Sequence, residues 1–196
     1  MNPKLLTLSV LAALSMSAQS ATIFTDNFET TTPGGNAVPV GWSVSNGTVD
    51  TVGLAYFGNL CNGTGRCVDL DGSTGNAGEL SRSFSLLAGN TYLLAFDLAG
   101  NRRGAGTEEG TVSFGTASLN YSMSNSASTA AYQPFTLAFA PTSSGMYAVK
   151  FANIGGDNQG AILDNVRISV SAVPEPQTYA LLALGLAALA VVRRRA

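Results

Sequence analysis

Short runs of alternating apolar and polar residues recur throughout residues 21–172, and almost none of this region shows the periodicity of a helix. Turn signals such as Asn46-Gly47 and Ser144-Gly145 separate the runs. The pattern predicts strands at residues 22–28, 41–45, 48–51, 66–70, 78–86, 91–98, 111–114, 117–123, 133–140, 145–153 and 161–170. Because many short strands joined by polar turns are typical of β-sandwiches, we predict an all-β fold, a β-sandwich of the jelly-roll type.

The N-terminal segment, residues 1–20, has a different pattern. Lys4 gives it a positive start, residues 5–14 are mostly apolar, and Ala18-Gln19-Ser20 forms a small-x-small cleavage site. This order is typical of a secretory signal peptide. We therefore predict that signal peptidase removes residues 1–20 and that the rest of the chain is exported through the inner membrane.

The C-terminal segment, residues 173–196, contains an apolar run at residues 179–192 that has no polar face. As a helix these 14 residues extend about 21 Å, whereas the apolar core of a bilayer is about 30 Å thick. We predict a single hydrophobic helix at about residues 178–192, which is a marginal transmembrane span. The arginines that follow it would stay in the cytoplasm by the positive-inside rule.

The residues on both sides of this helix resemble the PEP-CTERM sorting signal of exopolysaccharide-producing Gram-negative bacteria. The resemblance rests on the motif, its spacing and its charge, in Val173, Pro174, Glu175, Pro176, Arg193, Arg194 and Arg195. It implies that an exosortase, a membrane protease, cuts the chain near the Pro-Glu-Pro sequence. The helix would then anchor the protein only transiently, before the protein reaches the cell surface or the extracellular matrix.

Residues 21–172 remain as a region of 152 residues, a suitable size for one domain. The region holds 6 basic and 11 acidic residues, so its net charge is −5. Nucleic-acid binding depends on clustered lysines and arginines, and this acidic region has no such patch in its sequence. We predict no nucleic-acid partner.

The two cysteines, Cys61 and Cys67, enclose five residues of a glycine-rich loop. In an exported chain the oxidising compartment favours a disulfide between them. The alternative is a metal or redox role, which the spacing and the lack of histidine in the sequence disfavour.

The sequence contains no histidine, and this excludes Ser-His-Asp and Cys-His catalysis as well as the usual histidine-bearing zinc sites. A glycosidase needs only two suitably spaced carboxylates. Glu108 and Glu109 are the most obvious pair, but we place them in a solvated loop at residues 104–110. Asp69, Asp71 and Glu79 are further carboxylates on a strand and its turn. We predict no catalytic residue, and a secreted carboxylate-dependent glycan hydrolase is the alternative function.

A second resemblance lies within residues 21–172. Residues 24–29, 38–42 and 161–168 look like the first and last strands of galactose-binding-like jelly rolls, which include many carbohydrate-binding modules. The resemblance implies that fold. Together with the sorting signal it implies an exported, non-catalytic protein that associates with extracellular polysaccharide.

The same resemblance implies a structural calcium that joins the first and last strands. The residues carried over by position are Asp26, Glu29 and Asp164, because calcium prefers hard oxygen ligands. The alternative is that these carboxylates face solvent or accept hydrogen bonds at turns.

Glycan binding also needs aromatic rings that stack on sugars, with polar groups beside them. Trp42 and Tyr56 are the candidate ligand-binding residues, although Trp42 is also suited to the core. Other aromatic and polar candidates are Phe57, Tyr121, Tyr132, Asn101, Arg102 and Arg103.

Overall fold

The computed structural model describes residues 20–58, 60–63, 65–104, 106–172, 183–186, 190 and 192–193. The strands are β1 (Ser20–Asp26), β2 (Ser43–Ser45), β3 (Asp50–Val52), β4 (Cys67–Asp69), β5 (Glu79–Leu86), β6 (Asn90–Ala99), β7 (Thr107–Phe114), β8 (Ala117–Ser124), β9 (Gln133–Phe139), β10 (Gly145–Asn153) and β11 (Ile162–Ala172). Each of them overlaps one predicted strand, and the all-β prediction is confirmed.

The strands form two antiparallel sheets. In the first sheet the order is β3-β4-β11-β6-β9, and β1 pairs with the C-terminal part of β11. In the second sheet the order is β2-β5-β10-β7-β8. Neighbours in a sheet are mostly distant in sequence, as expected for a sandwich with crossing connections.

The core lies between the sheets because the strands alternate apolar and polar residues. In β6, Leu94 and Leu98 are fully buried, and Phe96 is 2% exposed. Val149 and Phe151 of β10 face them from the second sheet as part of the same buried cluster. The period of two in the sequence therefore places one side of each strand in the core.

Strand β7 begins four residues earlier than predicted, so the loop prediction was wrong for residues 107–110. The glycines of this stretch suggested a loop, yet Gly110 lies inside the strand opposite Tyr121. A Cβ atom at Gly110 would lie 2.3 Å from the Tyr121 hydroxyl oxygen and 2.2 Å from the Ala152 carbonyl oxygen. Glycine in this strand thus allows a close approach of side chain and backbone.

In the C-terminal segment, residues 183–186, 190 and 192–193 are helical. Among the described residues, no helix is both long and apolar enough to cross a bilayer. The predicted signal peptide, apart from Ser20, lies outside the described residues. Of the predicted sorting residues, only Arg193 lies within them.

Candidate functional site

Four connections meet at one end of the sandwich, which we call the loop end: residues 53–66, 100–106, 125–132 and 154–161. Arg102, which is 8% exposed, holds three of these connections together. Its guanidinium donates hydrogen bonds to the carbonyl oxygens of Leu60, Ser128 and Ala130 at 2.7, 3.0 and 2.6 Å. Arg102 is therefore a structural clamp rather than a surface group.

The predicted disulfide is confirmed and lies at the loop end. Cys61 and Cys67 are bonded, with their Cα atoms 5.5 Å apart. Both are buried, and they pack with Val52 and Ile162 in a small apolar cluster. The bond thus ties the end of the 53–66 connection to the start of β4.

Tyr56 and Phe57 form an aromatic pair on this connection. Their rings meet edge to face with centroids 4.5 Å apart, and Phe57 is 44% exposed. Two backbone hydrogen bonds between Gly53 and Tyr56, at 2.8 and 3.0 Å, close the turn that carries the pair. Phe57 has a φ of 59°, a left-handed conformation that bulky residues rarely adopt. Such strain is often found where a side chain is presented for function.

Arg103 covers one side of this pair. Its guanidinium carbon lies 4.7 Å from the centroid of the Phe57 ring. The guanidinium also forms an ion pair with Asp69 and donates to the carbonyl oxygen of Asn158. Together Tyr56, Phe57 and Arg103 make a partly exposed surface that combines aromatic rings with a cation.

Asp69 holds the Arg103 guanidinium in place from the interior of the domain. Its carboxylate is fully buried and accepts hydrogen bonds from the backbone amides of Asp71 and Gly160 at 3.1 and 2.8 Å. Burial raises the pKa of Asp69 to about 8, while Arg103 and the two amides oppose that rise. The position of Arg103 is therefore determined by a buried partner and not by solvent.

The loop end also has hydrogen-bonding capacity that the chain does not use. Within the described part of the chain, six buried side-chain nitrogen or oxygen atoms have no hydrogen-bond partner: Asp71 Oδ1, Arg102 Nε, Arg103 Nε, Ser126 Oγ, Tyr132 Oη and Gln159 Oε1. All six belong to these connections or to residues that contact them. Ordered water usually satisfies such atoms. These atoms are therefore available to hydrogen-bond with water or a ligand at the loop end.

Trp42, the other predicted ligand-binding residue, lies in the core. It is 7% exposed and packs against Phe24, Phe28 and Phe151, with ring centroids about 6 Å apart. Its indole N–H donates to Asp26 Oδ2 at 2.8 Å. The ring therefore offers no free face to a sugar.

The most obvious carboxylate pair considered for hydrolysis does not meet. Glu108 and Glu109 lie on opposite faces of β7, and Glu108 is buried. The Glu108 oxygens accept hydrogen bonds from the Asn101 and Asn153 amides at 2.7 and 3.2 Å. Glu79 instead pairs with Lys150 at 2.7 Å on the outside of the second sheet.

The three predicted calcium ligands each accept hydrogen bonds from the chain. Asp26 accepts from the Phe28 amide as well as from Trp42, Glu29 from the Arg66 amide and Asp164 from the Asn165 amide. Within the described ranges, no three acidic or cysteine side chains are grouped as a metal site. The calcium site stays a prediction.

These carboxylates nevertheless share one region. Burial raises the pKa of Asp164 to about 7, and the negative charges of Asp97, Glu29 and Asp26 add to that rise. Asp97 and Asp26 also line a groove of about 440 Å³ between β1, β6, β9 and β11. Sequence reasoning missed Asp97, because only the pairing of β6 with β11 brings it opposite Asp164.

Residues 17–169 match a family model described as a protein of unknown function, DUF642. The chain belongs to the DUF642 family. Residues 172–195 of this DUF642 protein match the PEP-CTERM protein-sorting motif, which confirms the first resemblance. No curated protein matches the chain.

Solved structures similar to this DUF642 protein confirm the jelly-roll fold. One is the CBM22-1 xylan-binding domain from Paenibacillus barcinonensis Xyn10C, with 9% identity, a TM-score of 0.54 and coverage of 79% of this chain and 97% of that chain. Another is a cleaved adhesin domain of Lys-gingipain from Porphyromonas gingivalis, with 12% identity, a TM-score of 0.51 and coverage of 79% and 99%.

A third is a two-module structure, the CBM22-1 and GH10 modules of Clostridium thermocellum endo-1,4-β-D-xylanase 10B. The identity is 15%, the TM-score is 0.49, and the match covers 79% of this chain and 29% of that chain. The DUF642 chain therefore spans less than a third of that protein's length.

Proposed function

We propose that this DUF642 protein is an exported, non-catalytic β-sandwich that associates with extracellular polysaccharide through its loop end. The observation that carries the proposal is the Tyr56–Phe57 pair, which is partly exposed and fixed beside the guanidinium of Arg103. Aromatic faces stack on the apolar faces of sugar rings, and nearby donors fix their orientation. The likeness to a domain named as xylan-binding supports the same class of ligand.

Charge supports an uncharged glycan over an acidic one. Residues 21–172 carry a net charge of −5, so the domain as a whole repels polyanions. Arg103, the cation beside the aromatic pair, is already paired with Asp69. The available surface is therefore mainly aromatic and hydrogen-bonding in character.

Phe57→Ala is expected to weaken binding to the producing organism's polysaccharide by about tenfold, because it removes the exposed ring. Affinity gels loaded with that polysaccharide and isothermal titration of the full chain in mild detergent measure the change. Leu87→Ala is the matched control, since Leu87 is 60% exposed in the turn between β5 and β6, at the opposite end of β6.

If the Phe57→Ala variant and the wild type bound the polysaccharide equally well, the binding site would lie outside the loop end. No retention of the wild type on any of these glycans, with calcium or with a chelator, would overturn glycan binding. If the protein released reducing ends from the glycan, it would be a glycan hydrolase, which is the alternative function. The comparison of calcium with a chelator also tests the proposed structural calcium at Asp26, Glu29 and Asp164. These carboxylates repel one another, and a bound cation would offset that repulsion.

The sorting motif supports processing by an exosortase, with transient anchoring in the membrane before the cut and then release to the cell surface or matrix. We expect the mature protein to end near Pro174–Pro176, and intact-mass analysis of the protein from its native host measures this. Replacing Glu175 and its two flanking prolines with alanine should leave the C-terminal segment attached. A wild-type mass that still includes Ala196 would contradict this route.

A further inference from the structure

Strand β8, Ala117–Ser124, is an outer strand of the second sheet. Within the described ranges its strand partner is β7, with which it forms eight consecutive residue pairs without a bulge. It contains no charged residue and no proline. An outer strand of this kind leaves a row of backbone N–H and C=O groups available for pairing with another strand.

The other outer strands are protected in ways that β8 is not. Strands β2 and β3 are three residues long, which is too short to template a stable pairing. Strand β1 is interrupted by an irregularity in register between Thr22 and Phe24. Strand β9 contains Pro134, which has no N–H to donate. Of the described outer strands, β8 alone is longer than three residues, paired without an irregularity, and free of both charged residues and proline.

We infer that β8 is a self-association surface, where it pairs antiparallel with β8 of a second copy about a twofold axis. A second copy suits this edge because β8 is complementary to itself. With Asn120 on the axis, the strand places Ala117 opposite Met123, Ser118 opposite Ser122 and Leu119 opposite Tyr121. In this register every apolar residue of β8 faces the core side of the joined sheet, and every polar residue faces solvent. Each residue therefore keeps the face that it has in one copy.

Two further observations fit this pairing. Leu119 and Ala117 are only partly buried although they pack against the core, so a second strand would cover apolar surface that one copy leaves open. The nearest acidic side chain on the outer face, Glu109, lies on β7. Three strand spacings would separate the two copies of β7 by about 14 Å, beyond the screening length of about 8 Å at physiological salt.

Asn120→Cys in the full chain tests the inference directly. Cys61 and Cys67 are bonded to each other, so the introduced residue is the single free thiol. Thr111→Cys is the control, because Thr111 is exposed on the same face but lies on the inner strand β7, paired with Ala152 on one side and Asn120 on the other. We expect at least about tenfold more disulfide-linked dimer from Asn120→Cys on non-reducing gels, since paired strands place the two thiols within bonding reach.

A second variant separates β8 pairing from association through the hydrophobic tail. Ser118→Lys with Ser122→Lys places lysines opposite each other across the axis, and like charges there oppose pairing. In the Asn120→Cys background this double change should abolish the linked dimer and leave the folded monomer. Three outcomes would overturn the inference: linked dimer that persists with both lysines, equal linking through Thr111→Cys, or monomer alone at every concentration.

Discussion

Trp42→Ala is expected to lower the free energy of unfolding by about 4 kcal/mol, the typical cost of removing a buried aromatic side chain. The indole contacts three buried or half-buried phenylalanines and also holds Asp26 by a hydrogen bond. The loss combines the lost burial of the indole with the cavity it leaves, because close-packed neighbours cannot fully fill that space. Urea denaturation followed by far-UV circular dichroism measures it.

Trp42→Phe separates packing from the hydrogen bond. Phenylalanine fills part of the space but cannot donate to Asp26, which is half-buried and can recruit water, so we expect a loss of about 1 kcal/mol. Glycan binding by this variant should equal that of the wild type. If Trp42→Phe weakened binding as strongly as Phe57→Ala, then Trp42 would be part of the ligand surface despite its burial.

The fold was largely predictable because its signals are local. Alternation along a strand and glycine or asparagine at a turn are properties of neighbouring residues, and they located all eleven described strands. The start of β7 was missed because Gly110 resembles a loop residue unless its partner is known. That partner, Tyr121, lies across the strand pair, and its hydroxyl occupies the space a side chain would need.

The candidate site was only partly predictable because its residues come from distant segments. Tyr56, Phe57 and Arg103 are each suitable for sugar contact, but no local pattern shows that Phe57 and Arg103 meet 46 positions apart. Whether Trp42 is buried or exposed likewise depends on which strands pack over it, and these are distant in sequence. Arg102 and Arg103 illustrate the limit, because these adjacent residues have the same chemistry but one is a buried clamp and the other borders the surface.

Asp69 determines why Arg103 borders the surface beside Phe57. The residue is two positions from Cys67 on the short strand β4, and the disulfide and β4 together position it beneath the 100–106 connection. Its buried carboxyl group contacts the guanidinium and holds it over Phe57. The geometry of the proposed glycan surface therefore depends on one ion pair inside the domain.

Arg103→Met should lower the free energy of unfolding by about 3 kcal/mol at pH 10, because it leaves the Asp69 carboxylate buried without its cation. The deficit should nearly vanish below pH 8, where Asp69 is protonated with or without the arginine. The pKa of Asp69 is already raised from 3.8 to about 8 by burial, and loss of the arginine raises it further. For an acid whose folded-state pKa is raised, stability is greatest below the unfolded value and falls as the pH rises through the folded value.

Urea denaturation at pH 6, 8 and 10 measures this dependence, and Asp69→Asn in the Arg103→Met background is the matched control. The amide oxygen of the substituted side chain would still accept from the Asp71 and Gly160 amides, but it carries no charge. The double variant should regain most of the lost stability and lose the additional pH dependence, while glycan binding stays weak because no guanidinium lies beside Phe57. A deficit of equal size at all three pH values would contradict the buried-charge explanation and leave side-chain packing as its cause.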